Sequence, residues 1–135
     1  MTMDSLKSSH PISKPLANPA DIDQVFDQIP YSKGASVIRM MKHFLTESTF
    51  KKGLAAYLSS MSYKNADQDD LWRYMTVSAH QDGSLPKDLT VKTIMDTWTL
   101  QEGYPVLTVI RDSNGNRQSY AETLLAGRRG TRSRI

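Results

Sequence analysis

The sequence predicts a mainly α fold that ends in a β hairpin. Between about residue 19 and residue 100, apolar residues recur at spacings of three and four, which is the pattern of amphipathic helices. The pattern changes at Tyr104, because Pro105–Ile110 is rich in β-branched residues and has no helical period. Asp112–Gly115 then gives a strong turn signal, and residues 117–125 are expected to return as a second strand. Because one hairpin is marginal alone in water, the pattern indicates the first strands of a larger β module.

Local signals place the first two helices. Asn18 is a good N-cap with Pro19 at the first helical position, and a short helix is expected from Pro19 to Gln28. A second helix is expected from Ser32 to Leu45. The buried stripe of the short helix would consist of Ile22, Val25, Phe26 and Ile29.

Thr46 is expected to cap a third helix, with Glu47 favourably placed against the positive end of the helix dipole. Lys51 and Lys52 fall on its solvent side, and a turn at Tyr63–Asn65 follows it. The apolar side of this helix consists of Phe50, Leu54, Tyr57, Leu58 and Met61.

Capping and helix-breaking residues mark the ends of the remaining helices. A fourth helix is expected to start at Asn65 or Asp67 and to run through Met75. Residues 78–88 are expected to form a loop, because they contain an Asp-Gly pair and a proline. A fifth helix is predicted over residues 91–100, and a glycine shortly after it acts as a C-terminal stop.

The composition suits one globular domain. The chain has 135 residues, of which 39% are hydrophobic and 23% are charged. It has no cysteine, which excludes disulfides and thiolate sites. No apolar run approaches the roughly 18 residues of a membrane span, and the first residues lack the apolar core of a signal peptide. No transmembrane segment is therefore expected in this chain, while membrane-tethered, extracellular and cytoplasmic locations all stay open.

The net charge of +3 comes from the C-terminal tail. Residues 126–135 hold four arginines and no acidic residue, so 13 of the 17 basic residues and all 14 acidic ones lie before them. A basic tail can bind nucleic acid electrostatically, but these residues include no aromatic side chain for base stacking. No nucleic-acid partner is therefore predicted.

Tyr31 is the candidate functional residue. It lies in a Tyr-Ser-Lys-Gly corner directly after Pro30, and an apolar helix pattern follows. A rigid helix that follows such a segment can fix the position of a functional group, here the tyrosine hydroxyl. From this chemistry alone, an aromatic residue before a helix is more often a packing residue.

Four short segments together point to one family. The segments are Ser8-Ser9-His10-Pro11-Ile12, Tyr31-x-Lys33-Gly34-Ala35 with the following Val-Ile-Arg-Met, Asp69-Asp70-Leu71-Trp72, and Met95-Asp96-Thr97-Trp98-Thr99-Leu100-Gln101-x-Gly103-Tyr104-Pro105. In order and spacing they resemble segments of the gluzincin zinc aminopeptidases, the aminopeptidase N family. The resemblance covers roughly Met3 to Arg111.

The resemblance implies a domain organisation. Residues 1–103 would be the helical C-terminal part of a thermolysin-like catalytic domain. Residues 104–122 would begin the following β domain, a β-sandwich missing from this chain. Residues 123–135 would be a basic, disordered tail. The chain is accordingly expected to be a fragment of a longer protein, cut at both ends of the catalytic domain.

The resemblance also implies an activity, the hydrolysis of N-terminal residues from peptides by a zinc enzyme. In this family the tyrosine of the Tyr-x-Lys-Gly motif donates its hydroxyl to the negative oxygen that forms when water attacks the carbonyl. Carried over to this sequence, that residue is Tyr31. Lys33 and Gly34 match the family too and are assigned structural roles only.

The zinc ligands of such enzymes are not in this sequence. They require two histidines at i and i+4 on one helix, whereas this chain has only His10, His43 and His80. The resemblance places the ligands upstream, so zinc is expected in the intact parent, none is expected on this chain, and the chain alone is expected to be inactive. His43 and Glu47 are interpreted as a surface pair, and His10 as a residue with a structural hydrogen bond.

Two functions from different classes follow. The first is the enzyme fragment, with a peptide substrate in the parent and the rest of the catalytic and β domains as its partners. The alternative is a noncatalytic helical interaction module that binds a full-length relative. A third reading, a nucleic-acid binder acting through the basic tail, is disfavoured by the family motifs.

Overall fold

The structure, a computed structural model, describes residues 3–111, 117–125, 128–129 and 133–134. The chain divides into two compact units, one made of residues 34–97 and the other of residues 1–33 together with 98–135. The prediction of a helical part followed by a β hairpin is confirmed, because within the described residues four α-helices precede two long paired strands. In the described part of the chain, no helix is both long and apolar enough to cross a bilayer.

The unit of residues 34–97 contains the α-helices. They are α1 (Gly34–Leu45), α2 (Glu47–Ser60), α3 (Gln68–Asp82) and α4 (Val91–Thr99), the last of which ends just beyond the unit. Its core is apolar and rich in methionine, whose flexible side chain fills irregular gaps. The buried apolar residues of this unit are Val37, Met41, Leu45, Trp72, Met75, Ala79, Leu85, Val91 and Met95.

Helix α2 packs on α3 through small residues. A Cβ atom added at Gly53 would lie 2.8 Å from the Met75 sulfur and 3.3 Å from the Met75 Cα, so Met75 would have to shift to admit alanine there. Thr49 is buried one turn earlier on the same face. The predicted apolar side of α2 was therefore wrong in part: its Leu58 is exposed, because the packed face is centred on Gly53.

The helix caps agree with the sequence at two of three positions. The Asn18 side chain accepts a hydrogen bond from the Ala20 N–H. Asp67 and Asp70 form a reciprocal capping box at the start of α3. Thr46, in contrast, has a φ of 72° and makes no side-chain cap, so the prediction that it caps α2 was wrong. Its hydroxyl instead donates to the Thr49 hydroxyl.

The predicted loop at residues 78–88 was also wrong in its first part, because α3 continues to Asp82. The Asp82 carboxylate accepts hydrogen bonds from Thr49 at 3.0 Å and from Lys52 at 2.7 Å, which ties the end of α3 to α2. Gly83 then takes a left-handed φ of 71° and ends the helix. The Asp-Gly pair is thus a helix end and not the middle of a loop.

The other unit consists of short turns and a sheet. Its turns are two 3₁₀ segments, Met3–Ser5 and Pro19–Val25, and a π-helical segment, Ile29–Lys33. Strands β1 (Tyr104–Arg111) and β2 (Arg117–Leu125) pair antiparallel with Tyr104 opposite Leu124. Two-residue strands β3 (Arg128–Arg129) and β4 (Ser133–Arg134) pair with β2, within the segment expected to be disordered. The domain boundaries drawn from the sequence stay a prediction.

The short helix expected over residues 19–28 was wrong in type and length. The chain forms a 3₁₀ segment that ends at Val25, so Phe26 and Ile29 do not continue its face. Ile22 and Phe26 are exposed, and of the predicted stripe only Ile29 is buried. The helix expected from Ser32 begins at Gly34, because the π-helical segment precedes it.

The close α2–α3 contact predicts that Gly53→Ala destabilises the chain. The added methyl group meets the Met75 backbone, and overpacking of this kind costs about 1–3 kcal/mol, partly offset by the better helix propensity of alanine. The matched control is Gly34→Ala, because a Cβ there meets nothing within 4 Å. Urea unfolding of the two variants should show a lower free energy of unfolding for Gly53→Ala and an unchanged or higher one for Gly34→Ala. Equal stability of the two variants would contradict the packing.

The end of α3 predicts a pH dependence. Hydrogen bonds from Lys52 and then from Thr49 lower the pKa of Asp82 below its ordinary value. A carboxylate with a lowered folded-state pKa stabilises the fold above its unfolded pKa of about 3.9, and this contribution is lost as the pH falls through the folded pKa. Asp82→Asn should therefore be less stable than the unaltered chain near neutral pH, and the difference should shrink toward pH 2.5.

The measurement is urea unfolding of both proteins at a series of pH values. Asp88→Asn, which neutralises an exposed carboxylate in the segment after α3, serves as the control and should show a small difference at every pH. A stability difference for Asp82→Asn that does not change with pH would contradict the assigned hydrogen bonds.

Candidate functional site

Tyr31 lies in the middle of the five-residue π-helical segment Ile29–Lys33, which we term the tyrosine turn. Its side chain is 66% exposed, whereas Ile29 at the start of the turn is buried. Pro30 within the turn has a fixed φ and no N–H group, which restricts the backbone just before the tyrosine. The turn thus presents a phenol outward from a constrained backbone.

The first anchor of the tyrosine turn is Asp27. Its Oδ1 accepts the Ile29 N–H at 2.7 Å, and its Oδ2 lies 3.1 Å from His10 Nε2. The pKa of Asp27 is lowered, chiefly by the hydrogen bond from Ile29, with smaller contributions from the hydrogen bond and charge of His10. The other ring nitrogen of His10 lies 2.8 Å from the Pro11 carbonyl oxygen. The structural hydrogen bond expected for His10 is therefore confirmed, and it ties the turn to the N-terminal segment.

The second anchor is Lys33, at the end of the turn. Its ammonium group lies 3.1 Å from the Asp4 carboxylate, and both side chains are nearly buried. It also donates hydrogen bonds to the backbone carbonyls of Gln101 and Gly103. The turn is thus held at both ends, while the side chain between the anchors stays accessible.

The other two histidines belong to the unit of residues 34–97. His43 is on the exposed side of α1. Glu47 pairs with Lys51 at 2.8 Å and with Lys42 at 3.3 Å, and these hydrogen bonds lower its pKa. His80 contacts the backbone carbonyl of Leu89 at 2.8 Å. Glu47 is therefore on the surface as expected, but its partners are lysines and not His43.

The described residues offer no set of ligands for a metal. Within residues 3–111 and the described strand residues beyond them, no group of three or more His, Cys, Asp or Glu side chains is placed to hold an ion. The two carboxylates that anchor the turn serve other partners: Asp27 accepts the Ile29 N–H and Asp4 pairs with Lys33. The chemistry that this part of the chain offers is therefore a hydroxyl donor, without a metal centre.

Sequence reasoning did not find Asp4 and Asp27. The Asp27 side chain accepts the backbone N–H of Ile29, two residues later, as in an Asx turn. Aspartate favours this local hydrogen bond, so the sequence offered a signal for it. Asp4 offers no such local signal, since its partners Lys33 and Gly103 lie far along the chain.

Comparison with known proteins identifies the family. Residues 1–98 match the Peptidase family M1 domain. The chain is 49% identical over 112 residues to aminopeptidase N of Mus musculus, which covers 81% of this chain and 12% of that protein. It is 46% identical over 128 residues to aminopeptidase N of Bos taurus, with 93% of this chain and 13% of the relative covered.

A third relative, endoplasmic reticulum aminopeptidase 1 of Mus musculus, is 39% identical over 128 residues, which cover 81% of this chain and 14% of the relative. The chain therefore spans about an eighth of the length of these curated relatives. A family match over most of the chain and this level of identity agree with the four sequence segments and with the helical fold. The chain belongs to the M1 peptidase family, the family of the aminopeptidases N.

Proposed function

We propose that this chain forms part of the catalytic domain of a zinc aminopeptidase, which removes N-terminal residues from peptides, and that Tyr31 is a catalytic residue of that domain. The observation that carries the proposal is the exposed Tyr31 side chain in a turn held at both ends. Membership of the M1 peptidase family supplies the reaction class.

The role proposed for Tyr31 is to donate a hydrogen bond to the reacting carbonyl oxygen. Attack on a peptide carbonyl places negative charge on that oxygen, and a donor fixed beforehand needs no reorganisation as the charge develops. A phenol on a restrained turn meets this requirement, because its backbone is fixed while its hydroxyl faces outward. An interaction that strengthens in the transition state lowers the barrier and therefore raises kcat.

Zinc, which polarises a carbonyl and activates water in peptidases of this kind, would be bound outside this chain. The described residues do not fit it, since they hold no suitable group of ligands. No step of the reaction is therefore assigned to a metal on these residues. The chain by itself is proposed to be inactive and to act only together with the rest of its catalytic domain.

The proposed partners are a peptide substrate and the remaining parts of the catalytic and β domains. Strand β1 exposes the large apolar side chains of Leu107, Val109 and Ile110. Leu107 and Val109 are two residues apart and therefore share one face of the strand, and exposed apolar side chains grouped in this way favour contact with another protein surface. A neighbouring part of the same enzyme would bury them.

The isolated chain is expected to bind no stoichiometric zinc and to cleave no aminoacyl reporter substrate. The physical reason is the lack of a ligand group in its described residues and of any histidine pair four residues apart in its sequence. Metal analysis after dialysis, together with an aminoacyl-cleavage assay, tests this, with purified bovine aminopeptidase N as the active control. Stoichiometric zinc with metal-dependent turnover in the isolated chain would refute the proposal.

The role of Tyr31 can be tested in a full-length enzyme. The chimera is bovine aminopeptidase N in which residues 1–111 of this chain replace the matching segment. Tyr31→Phe keeps the ring and removes the hydroxyl, so kcat should fall roughly 10²–10³-fold, the loss typical of one oxyanion donor. KM, zinc content and melting temperature should change little.

The matched control in the chimera is Tyr63→Phe, because Tyr63 is a fully exposed tyrosine in the turn after α2. It should leave turnover unchanged. Near-normal kcat for Tyr31→Phe would refute the catalytic role. A folded, zinc-loaded chimera without activity would show that this segment does not supply a working part of the enzyme.

A further inference from the structure

Lys33 ends the tyrosine turn with an ammonium group whose three donors are all used. Its Nζ lies 3.1 Å from Asp4 Oδ2, 3.0 Å from the Gln101 carbonyl oxygen and 2.9 Å from the Gly103 carbonyl oxygen. An ammonium group has three N–H donors and no acceptor, so these three oxygens satisfy it. The side chain is only 10% exposed, and water therefore competes little for the bonds.

The Asp4 carboxylate is satisfied as well. Its side chain is 5% exposed, and its Oδ1 accepts the Ser9 hydroxyl at 2.8 Å and the Gly103 N–H at 3.2 Å. Gly103 has a φ of 72°, a left-handed conformation that favours glycine, and it binds the pair through both its N–H and its carbonyl. The pair thus connects the N-terminal segment, the tyrosine turn and the residues just before β1.

A buried ion pair is a costly way to stabilise a fold, because apolar residues of similar volume are often as stabilising or more so. The effect of this pair is geometric, since it holds the end of the Lys33 side chain from three directions. Lys33 is two residues from Tyr31 in the same stretch of π-helix, a conformation that occurs mostly as short segments and often at functional sites. Asp27 holds the opposite end of the turn through Ile29.

We propose that Asp4 and Lys33 are positioning residues for catalysis, which fix the end of the tyrosine turn so that the Tyr31 hydroxyl keeps one place relative to the substrate. This inference rests on the proposed function of Tyr31. It assigns to Lys33 more than the structural role that the sequence indicated. It assigns a role to Asp4, which the sequence did not single out.

The test is a double-mutant cycle in the chimera. Lys33→Arg keeps the charge, but the planar guanidinium cannot direct three donors at the three oxygens that converge on the lysine. Misplacement of a reacting group by about 1 Å can cost up to 10²-fold, so kcat should fall roughly 10- to 100-fold with little change in KM. In the Tyr31→Phe background the same substitution should have almost no further effect on kcat, because the hydroxyl that it misplaces is already gone.

Asp4→Asn tests the pair from the other side, since it keeps the shape and removes the charge, and it should show the same dependence on Tyr31. The control is Lys92→Arg. Lys92 is another ion-paired lysine, which binds Asp69 and Asp96 on an exposed surface. This substitution should leave kcat unchanged. Zinc content and melting temperature are measured for every variant.

The outcomes separate the inference from the proposed function. The inference is overturned if Lys33→Arg and Asp4→Asn do not lower kcat, or if they lower it by the same factor with and without the Tyr31 hydroxyl. The role of Tyr31 still stands in that case, provided that Tyr31→Phe lowers kcat. Loss of folding in both variants also overturns it, because the pair would then serve the fold. If Tyr31→Phe has no effect, the proposed function fails.

Discussion

The buried carboxylate of Asp4 is the interaction on which the unit of residues 1–33 and 98–135 depends. It accepts hydrogen bonds from Ser9, Lys33 and the Gly103 backbone, partners that lie up to 99 residues away in the chain. Burying a carboxylate costs several kcal/mol unless its partners are in place. Here every oxygen has a partner, so the cost is offset only when the N-terminal segment, the tyrosine turn and the residues before β1 come together.

This constraint bears on the proposed function through the tyrosine turn. A side chain that donates to developing charge must be held before the reaction begins, because reorganisation at that moment would raise the barrier. The two anchors, one at Asp27 and one at Lys33, fix the backbone on either side of Tyr31 without covering its ring. Hydrogen bonds in the scaffold thus hold the backbone on either side of an accessible phenol.

Local signals in the sequence predicted the α-helices and the paired strands, but not the 3₁₀ segment Pro19–Val25 or the missing side-chain cap at Thr46. Asn18 and Asp67 cap helices as their residue types suggest, and the β-branched run before the Asn-Gly pair forms β1 paired with β2. One prediction, the loop at residues 78–88, failed where distant partners contact the chain. Asp82 continues α3 because Lys52 and Thr49 bind it, although Asp-Gly is by itself a turn signal.

The sequence likewise predicted one part of the candidate site and not the other. A motif of adjacent residues pointed to Tyr31, and its assignment rested on family resemblance, since an aromatic residue before a helix has no local signature of catalysis. The Asp4–Lys33 pair could not be predicted, because nothing near Asp4 in the sequence marks it as buried. Only the folded chain brings Asp4, Lys33 and Gly103 together.

The most direct test of the account is the affinity of the chimera for a tetrahedral phosphinate peptide analogue, which carries a negative oxygen where the reacting carbonyl oxygen would be. A ground-state peptide inhibitor without that oxygen serves as the reference. If the Tyr31 hydroxyl binds the developing charge, Tyr31→Phe should weaken the phosphinate roughly 10²–10³-fold, matching its loss in kcat, and should leave the reference inhibitor unchanged. Equal affinity of both proteins for the phosphinate would contradict the account.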